Sequence, residues 1–352
     1  MSNIDFDNGF IVGYTLGRQG ILTAAPPTVL ALVKLANGVA DYDEFYQLSK
    51  AINGKFLIGG ARNNRDYNPT LNTLTEITEV TDPLYYWLKS VIQNSDGTLY
   101  RTARYPYPYP SYFQKWDIPT SAWVTVSTLS TANGSYSSSF LLTSDDRIFF
   151  MHNSYPNGGI LYEIVSGALV ARTPYSIGLT NVISAGLVEY SGKIYMQGSA
   201  THILYEWNGT DAWVAKTGAD NTIKHLLSTP VGLLAISSTG ELKQWNGADS
   251  WVVKAPQLPP LDMVGGWSIG DGLGVAWFND TIYAAAYNRS TATEYLGYWG
   301  DDMSLLKWNG VDSWELVCAT PDNQTISDLM VWNEELYATS PEGAYLMKLT
   351  GS

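Results

Sequence analysis

One unit of eleven residues occurs three times in this sequence and constrains the fold more than any other feature. It contains two tryptophans six residues apart, and Asn-Gly follows the first of them directly. Asn-Gly between two apolar runs is a strong hairpin signal, because a type I′ turn needs positive φ at both central residues. Each unit is therefore predicted to be two antiparallel strands joined by a tight turn. The tryptophan pairs of the three copies are Trp207/Trp213, Trp245/Trp251 and Trp308/Trp314.

Two less regular copies extend the series towards the N-terminus. In one, Trp116 and Trp123 enclose Asp-Ile-Pro-Thr-Ser-Ala. In the other, which spans residues 161–170, Ile164 and Leu169 take the places of the tryptophans. The paired side chains are expected to pack against neighbouring sheets.

A second hairpin signal, a turn pair followed closely by two apolar residues, occurs seven times. The second to sixth of them each lie upstream of a tryptophan unit or a less regular copy of it. Two hairpins together make a four-stranded antiparallel sheet, which is one blade of a β-propeller, and the spacing of 39 to 54 residues fits a propeller repeat. The sequence therefore predicts an all-β, seven-bladed β-propeller. The second apolar residues of the seven signals are Leu57, Tyr100, Phe149, Tyr195, Leu234, Tyr283 and Tyr337.

This order of turns, apolar pairs and glycines resembles the kelch repeat. The fullest first half runs from Asn53 to Gly60, Asn-Gly-Lys-Phe-Leu-Ile-Gly-Gly, and the closest second half runs from Trp116 to Trp123. The resemblance covers residues 40 to 350 approximately, but the double glycine occurs only at Gly59-Gly60, and Asn-Gly replaces Asp-Pro elsewhere. It implies a propeller that acts through protein–protein contacts.

The last repeat is incomplete, which predicts how the ring closes. After Leu336-Tyr337 the sequence has room for one more strand, from Ala344 to Leu349 approximately. A strand from the other terminus would complete the blade and leave no unpaired edge inside it. The candidate is the apolar run at residues 28–35, for which a short helix is the alternative because Leu, Ala and Lys favour helices. The chain is thus divided into an N-terminal segment, 1–27, and a propeller, 28–352.

The loops predict where a ligand would bind. In an antiparallel blade the first and third turns lie at one end, and the middle loops lie at the other. The middle loops vary in length, and one of them alternates tyrosine with proline, which favours an extended path that presents the rings outward. A ligand surface is predicted there, and the alternative is that the tyrosines pack over the propeller as a lid. The predicted ligand-binding residues are Tyr105, Tyr107, Tyr109, Tyr112, Tyr155, Tyr287, Tyr295, Tyr298 and Trp299.

Residues 1–27 have strand composition but no repeat partner. Their stretch Asn-Gly-Phe-Ile-Val-Gly, residues 8–13, resembles the N-terminal stretches of some bacteriophage structural proteins. The resemblance implies a virion protein of a tail, fibre or decoration type that docks on other virion proteins through this segment and contacts a host-surface glycan or protein through its long loops. The alternative is an extra strand that packs on the propeller. The predicted docking residues are Phe10, Ile11, Val12, Tyr14 and Leu16.

Charge and composition exclude several kinds of partner. The net charge is −13 and no run of Lys or Arg occurs, which argues against nucleic acid and anionic membranes. The single cysteine, Cys318, cannot form an intrachain disulfide. No signal peptide or membrane span is recognisable in the sequence, so the expected location is the virion, assembled in the host cytoplasm, or otherwise the cytoplasm.

The sequence favours binding over catalysis. We expect no catalytic residues, no cofactor and no metal, because it shows no phosphate loop, metal-spaced Cys/His set or Ser–His–Asp signature. Two alternatives remain open, a cellular interaction scaffold and a carbohydrate-active propeller enzyme. Glycoside hydrolysis needs only two carboxylates at a set separation, and Asp301-Asp302 is the pair that would be tested.

Overall fold

The structure is a computed structural model of the 352-residue chain. The residues it describes are 30–37, 45–50, 55–60, 64–71, 73–78, 87–104, 111–117, 120, 122–130, 136–154, 158–173, 186–198, 202–237, 240–255, 267–268, 274–288, 303–321, 326–340 and 345–351. The predicted docking segment, 1–27, lies outside them.

Nearly all regular structure in the described part of the chain is β-strand, as the aromatic and β-branched composition favours. The strands are short and follow one another closely, so each pairs with a neighbour in sequence. They are β1 Leu30–Asn37, β2 Phe45–Lys50, β3 Phe56–Gly60, β4 Asn64–Asn68, β5 Thr73–Thr78, β6 Trp87–Gln93, β7 Leu99–Arg104, β8 Ser111–Asp117, β9 Ala122–Ser130, β10 Tyr136–Leu142, β11 Ile148–Ser154, β12 Gly158–Val165, β13 Ala168–Ala171, β14 Leu187–Tyr190, β15 Lys193–Gln197, β16 Leu204–Trp207, β17 Trp213–Ala215, β18 Ile223–Thr229, β19 Gly232–Ser237, β20 Leu242–Trp245, β21 Trp251–Ala255, β22 Trp267–Ser268, β23 Val275–Phe278, β24 Thr281–Asn288, β25 Met303–Trp308, β26 Trp314–Ala319, β27 Asp328–Trp332, β28 Glu335–Ser340 and β29 Tyr345–Gly351.

These strands form seven antiparallel sheets, which we call blades 1 to 7 in chain order of their first strands. Six are four-stranded, and blade 6 has a fifth strand because β22 and β23 both pair with β24. The first strand of each blade contacts that of the next, with β23 in this position in blade 6, and the cycle closes on itself through β2, β6, β10, β14, β18, β23, β27 and again β2. The predicted all-β propeller is therefore confirmed. In strand order the blades are β2–β5, β6–β9, β10–β13, β14–β17, β18–β21, β22–β26 and β27–β28–β29–β1.

Blade 7 is completed by the N-terminal strand, as predicted. β1 pairs antiparallel with β29, and Leu30 lies opposite Gly351. Burial explains why this apolar run is a strand and not a helix, because Leu32 is buried in the core while the adjacent Val33 is 44% exposed. The ring thus joins residues from both terminal regions of the sequence in one sheet.

The repeated tryptophans occupy equivalent places between blades, as predicted. Trp207 of blade 4 packs edge-on against Phe149 of blade 3, with ring centroids 5.3 Å apart. Trp245 of blade 5 meets Tyr195 of blade 4 in the same way at 5.2 Å. Trp308 of blade 6 packs on the apolar cluster that includes Leu234 of blade 5. Each indole therefore contacts the blade that precedes its own.

The Asn-Gly hairpins differ from the predicted two-residue type I′ turns. Trp207 pairs with Trp213, so five residues, 208–212, form the loop, and of these only Gly209 has positive φ. The side chain of Asn208 explains the wider loop, because its Oδ1 accepts the backbone N–H groups of residues 210, 211 and 212. A side-chain acceptor here replaces the backbone bonds of a tight turn. Asn246 and Asn309 do the same in blades 5 and 6.

Type I′ geometry occurs instead in first turns whose sequences are weaker hairpin signals. Ser191-Gly192, Asn279-Asp280 and Asn333-Glu334 each separate two paired residues and have positive φ at both positions. This geometry matches the right-handed twist of the flanking strands. The turn prediction was therefore wrong in its assignment to the Asn-Gly units.

Candidate functional site

The two ends of the blades differ in how regular their connections are. We call the end with the first turns the tight-turn end, and the end with the loops between second and third strands the long-loop end. Tight turns such as Ser191-Gly192 have two residues, whereas the long loops comprise residues 105–110 in blade 2 and 289–302 in blade 6. Larger variation of loop length at one end of a regular ring points to that end as the binding surface.

The twist of the blade sheets moves the third turn of blade 6 away from the position that the sequence predicted. The predicted arrangement put the third turns on the same face as the first turns. In the structure the Nε1 of Trp314, beside the third turn of blade 6, donates to the carbonyl oxygen of Gly240 in the long loop of blade 5 at 2.8 Å. Successive strands of a sheet rotate by roughly 20–25°, so the outer strand crosses towards the preceding blade. The third turn of blade 6 consequently leans on the neighbouring blade, and we assign only the first turns to the tight-turn end.

Most of the predicted ligand-binding residues lie outside the described part of the chain. Tyr105, Tyr107 and Tyr109 belong to the loop between β7 and β8, and Tyr155 to that between β11 and β12. Tyr295, Tyr298 and Trp299 belong to the loop between β24 and β25, as do Asp301 and Asp302. The predicted ligand surface therefore stays a prediction.

Two of the predicted residues lie in strands. Tyr112 is half-buried in β8, opposite Ala103. Tyr287 lies in β24, between Ser268 of β22 and Met303 of β25. They belong to blades 2 and 6, so no single blade brings them together.

The structure identifies His152 as the most unusual residue near the long-loop end. Its side chain is fully buried at 0% exposure, and neither ring nitrogen has a hydrogen-bond partner. Buried polar groups in proteins are nearly always hydrogen-bonded, so this imidazole needs a specific explanation. Burial lowers the pKa of His152 to about 4, so the ring is neutral at neutral pH.

Position in the strand places His152 between blades 2 and 3. Side chains alternate along β11, so His152 lies on the same side as Phe150, two residues before it. Phe150 stacks on Phe113 of blade 2 with ring centroids 5.6 Å apart and planes at 6°. Beyond His152, β11 ends at Ser154 and the loop with Tyr155 begins. The imidazole thus lies in the seam between blades 2 and 3, two residues before the end of β11.

Comparison of the seven repeats could have revealed this residue from the sequence. His152 is three residues beyond Phe149, the second apolar residue of its hairpin signal. At the same position every other blade has a small residue, and those of blades 5 to 7 are buried. Gly, Ala or Ser is therefore sufficient for packing at this position, and the histidine of blade 3 is the exception. The six equivalent residues are Gly60, Ala103, Gly198, Ser237, Ala286 and Ser340.

The buried carboxylates of the described strands are held by cations. Glu163 in β12 is 5% exposed and accepts two hydrogen bonds from Arg147, at 2.8 and 3.0 Å, and one from Arg172 at 2.5 Å. Burial acts to raise the pKa of Glu163, but the two arginines outweigh it and the pKa is lowered. A carboxylate fixed in this way is a structural acceptor and is poorly suited to accept a proton from a substrate.

A second arrangement of this kind joins a tyrosine to a carboxylate. Glu206 in β16 accepts hydrogen bonds from the Tyr195 hydroxyl and from Lys193, both at 2.9 Å, and forms an ion pair with Lys216. Burial raises the pKa of Tyr195, and the carboxylate raises it further. Blade 7 repeats the pattern with Tyr337, Glu335 and Lys348. These tyrosines stay protonated, so they act in packing and hydrogen bonding.

Other reactive groups in the described residues give no catalytic constellation. Burial raises the pKa of the Cys318 thiol to about 11, which keeps it protonated and a poor nucleophile. Within the described ranges, no three His, Cys, Asp or Glu side chains converge as they would around a metal ion. Nor does that part of the chain contain a helix of the length and hydropathy that a bilayer requires.

Comparisons with known proteins agree on the fold. No protein-family model matches the sequence, and no curated protein matches it. Among solved structures, a catalytically inactive virginiamycin B lyase from Staphylococcus aureus with quinupristin has a TM-score of 0.62 at 10% identity, covering 91% of this chain and 99% of that chain. The WD40 β-propeller domain of Doa1 has 0.57 at 12%, covering 90% and 96%. BamB from Moraxella catarrhalis has 0.54 at 13%, covering 90% and 97%.

Identities this low establish the architecture alone. The neighbours include a lyase and proteins without a stated reaction, and neither a kelch protein nor a phage protein is among those described above. The chain therefore has the β-propeller fold, without a demonstrated family.

Proposed function

We propose that this chain is a non-catalytic binding module that recognises another macromolecule, in the first place a protein, with the long-loop end of its blades. The observation that carries the proposal is the greater range of loop lengths at that end, from residues 61–63 in blade 1 to residues 289–302 in blade 6, against first turns of two to five residues in six described blades. Rigid scaffolds with variable loops at one end are a common architecture of binding proteins.

The chemistry of the described strands supports binding over catalysis. Glu163, Glu206 and Asp220 each form an ion pair with lysine or arginine. Their pKa values are lowered in spite of burial, so none of them is poised as a general acid. The likeness to solved propellers, among them the WD40 domain of Doa1, also favours an interaction role.

A more specific form of the proposal is that the chain is a virion protein. It rests on the resemblance of residues 8–13 to the N-terminal stretches of some bacteriophage structural proteins. In this form residues 1–27 dock on other virion proteins, and the long-loop end contacts a host-surface glycan or protein. Removal of residues 1–27 is expected to abolish incorporation into particles while the propeller stays folded. Particles that still contain the truncated chain would contradict this form and leave the binding module itself untouched.

The test of the binding module compares the predicted tyrosine loop with a residue of a first turn. Full-length protein is presented to proteins encoded beside its gene and to a glycan array, before and after replacement of Tyr105, Tyr107 and Tyr109 with Ser. We expect the replacement to weaken retention of a partner at least tenfold, because tyrosine supplies large contact area at low entropic cost. The control is Val231→Ser, which changes an apolar side chain that is 53% exposed in a first turn. Equal retention by both variants would contradict the proposal.

A further inference from the structure

His152 combines three properties that packing does not explain. It is fully buried, it has no hydrogen-bond partner at either ring nitrogen, and it replaces the small residue found at its position in the six other blades. An unsatisfied buried polar group costs on the order of 1–3 kcal/mol. Ala at this position, as in blade 6, avoids that cost. The imidazole is therefore retained at a loss of stability.

The elements packed around the ring contribute little that would stabilise a charged imidazole. In its own blade, His152 lies opposite Ser137 of β10 and Ile160 of β12, neither of which is ionisable. Across the seam, Phe113 of β8 belongs to the apolar cluster that includes Phe150. In blade 2, the charged residues of β6, which packs on β10, and of β7 are Lys89, Arg101 and Arg104, and all three are cations that would not favour protonation. A proton can therefore be accepted only when the seam opens to water.

We propose that His152 makes the seam between blades 2 and 3 sensitive to acid, so that the seam is closed at neutral pH and opens locally as the pH falls. Protonation stabilises every state in which the ring reaches water and leaves the closed state unchanged. β7 ends at Arg104 and β11 at Ser154, and the predicted ligand tyrosines follow these strand ends directly in the sequence. The proposal rests on the proposed function in one respect: where the long-loop end binds a partner, opening of the seam in acid would alter that end in particular.

The size of the effect follows from the two protonation equilibria. When the seam is closed, the His152 imidazole has a pKa of about 4, and when the seam is open it has the ordinary value of 6.5. Opening is therefore favoured about 30-fold at a pH of about 5, compared with about pH 7.5. The buried carboxylates Glu163, Glu206 and Asp220 have lowered pKa values and stay ionised over this range. The effect is thus separable from general acid unfolding.

Hydrogen–deuterium exchange of the full chain tests the proposal without a ligand. Peptides that cover β11 are compared with peptides that cover β19, the equivalent strand of blade 5, at about pH 5 and about pH 7.5, after correction for intrinsic exchange. We expect protection of β11 to fall about 30-fold, and protection of β19 to change only slightly. His152→Gln should abolish the difference, while His202→Gln, at a partly exposed histidine of blade 4, should preserve it.

The outcomes separate the two proposals. Equal pH sensitivity of β11 and β19, or a β11 response that persists in His152→Gln, would overturn the acid-sensitive seam. If His152→Gln fails to fold, NMR titration of the wild-type imidazole decides, because a value near 6.5 would show a ring already open to water. Loss of partner binding in the loop variants plays no part in this readout, so either proposal can fail alone.

Discussion

Blades 3 and 5 have the same strand order but differ at one equivalent position of their second strands, which is His152 in blade 3 and Ser237 in blade 5. β19 of blade 5 is buried throughout and ends with Ser237, whose buried position is typical of the repeat. β11 of blade 3 runs through Phe149, Phe150 and Met151 to the unsatisfied His152. The comparison shows that the repeated residues determine the packing between blades. A residue that departs from the repeat, such as His152, is therefore retained for a reason other than packing.

The largest effect should come from the tryptophan that blade 5 has and blade 3 lacks. Trp245→Ala removes an indole that contacts Tyr195 of blade 4, and should cost about 4 kcal/mol of unfolding free energy. Ile164→Ala at the equivalent place in blade 3 should cost about 1–2 kcal/mol, because the side chain is smaller and only partly buried. Urea unfolding of both variants measures the difference. Equal losses would show that the indoles do not hold neighbouring blades together.

The next effect is the acid dependence of overall stability. The folded state disfavours protonated His152, whose pKa is about 4 there and 6.5 when unfolded. Stability is therefore fully present above about pH 6.5 and is lost as the pH falls to about 4, by about 3 kcal/mol in total. His152→Gln should remove this part of the acid loss, which urea unfolding at several pH values would detect. An unchanged pH profile would place the imidazole in contact with water.

Blade 3 should also depend on its buried carboxylate. Glu163→Gln removes the buried carboxylate that Arg147 and Arg172 share, and should cost about 2 kcal/mol. This estimate is reduced from that for a fully buried pair because the arginine side chains are 41% and 33% exposed. Glu315→Gln, at an exposed position of β26, should change thermal stability by only a few tenths of a kcal/mol. Similar melting temperatures for both variants would contradict the structural role of Glu163.

The smallest effect should distinguish the two kinds of turn. Asn246→Ala removes an acceptor of three backbone N–H groups and should cost about 1 kcal/mol. Asn279→Gly, at the first position of a type I′ turn, should be nearly neutral because glycine adopts positive φ freely. Denaturant midpoints measure both changes. A larger loss for Asn279→Gly would reverse the assignment of the two turns.

Sequence reasoning predicted the features that repeat. The tryptophan pairs face each other across their hairpins, Ile164 pairs with Leu169 as their worn copy, and residues 30–37 form the strand that closes the ring. Periodicity carries this information because each blade needs the same packing. The prediction of the Asn-Gly turns failed because it considered backbone preferences alone and omitted the Asn208 side chain as an acceptor.

Features that arise from contacts between blades were harder to predict. The twist that brings Trp314 to Gly240 depends on the geometry of whole sheets, which no local motif encodes. The burial of His152 likewise depends on Phe113 and Phe150 meeting across a seam. An aligned comparison of the seven repeats would have singled out His152 as unusual, although its burial could not have been inferred from composition.

Closure of blade 7 by β1 is the claim on which the ring depends, and amide exchange of the intact chain tests it most directly. We predict that amides of β1 exchange as slowly as those of β29, that Leu32→Asp accelerates both, and that Val33→Asp accelerates neither, since Leu32 is 5% and Val33 44% exposed. Exchange of β1 within seconds in the wild-type protein, with β29 still protected by β28, would contradict the closed ring.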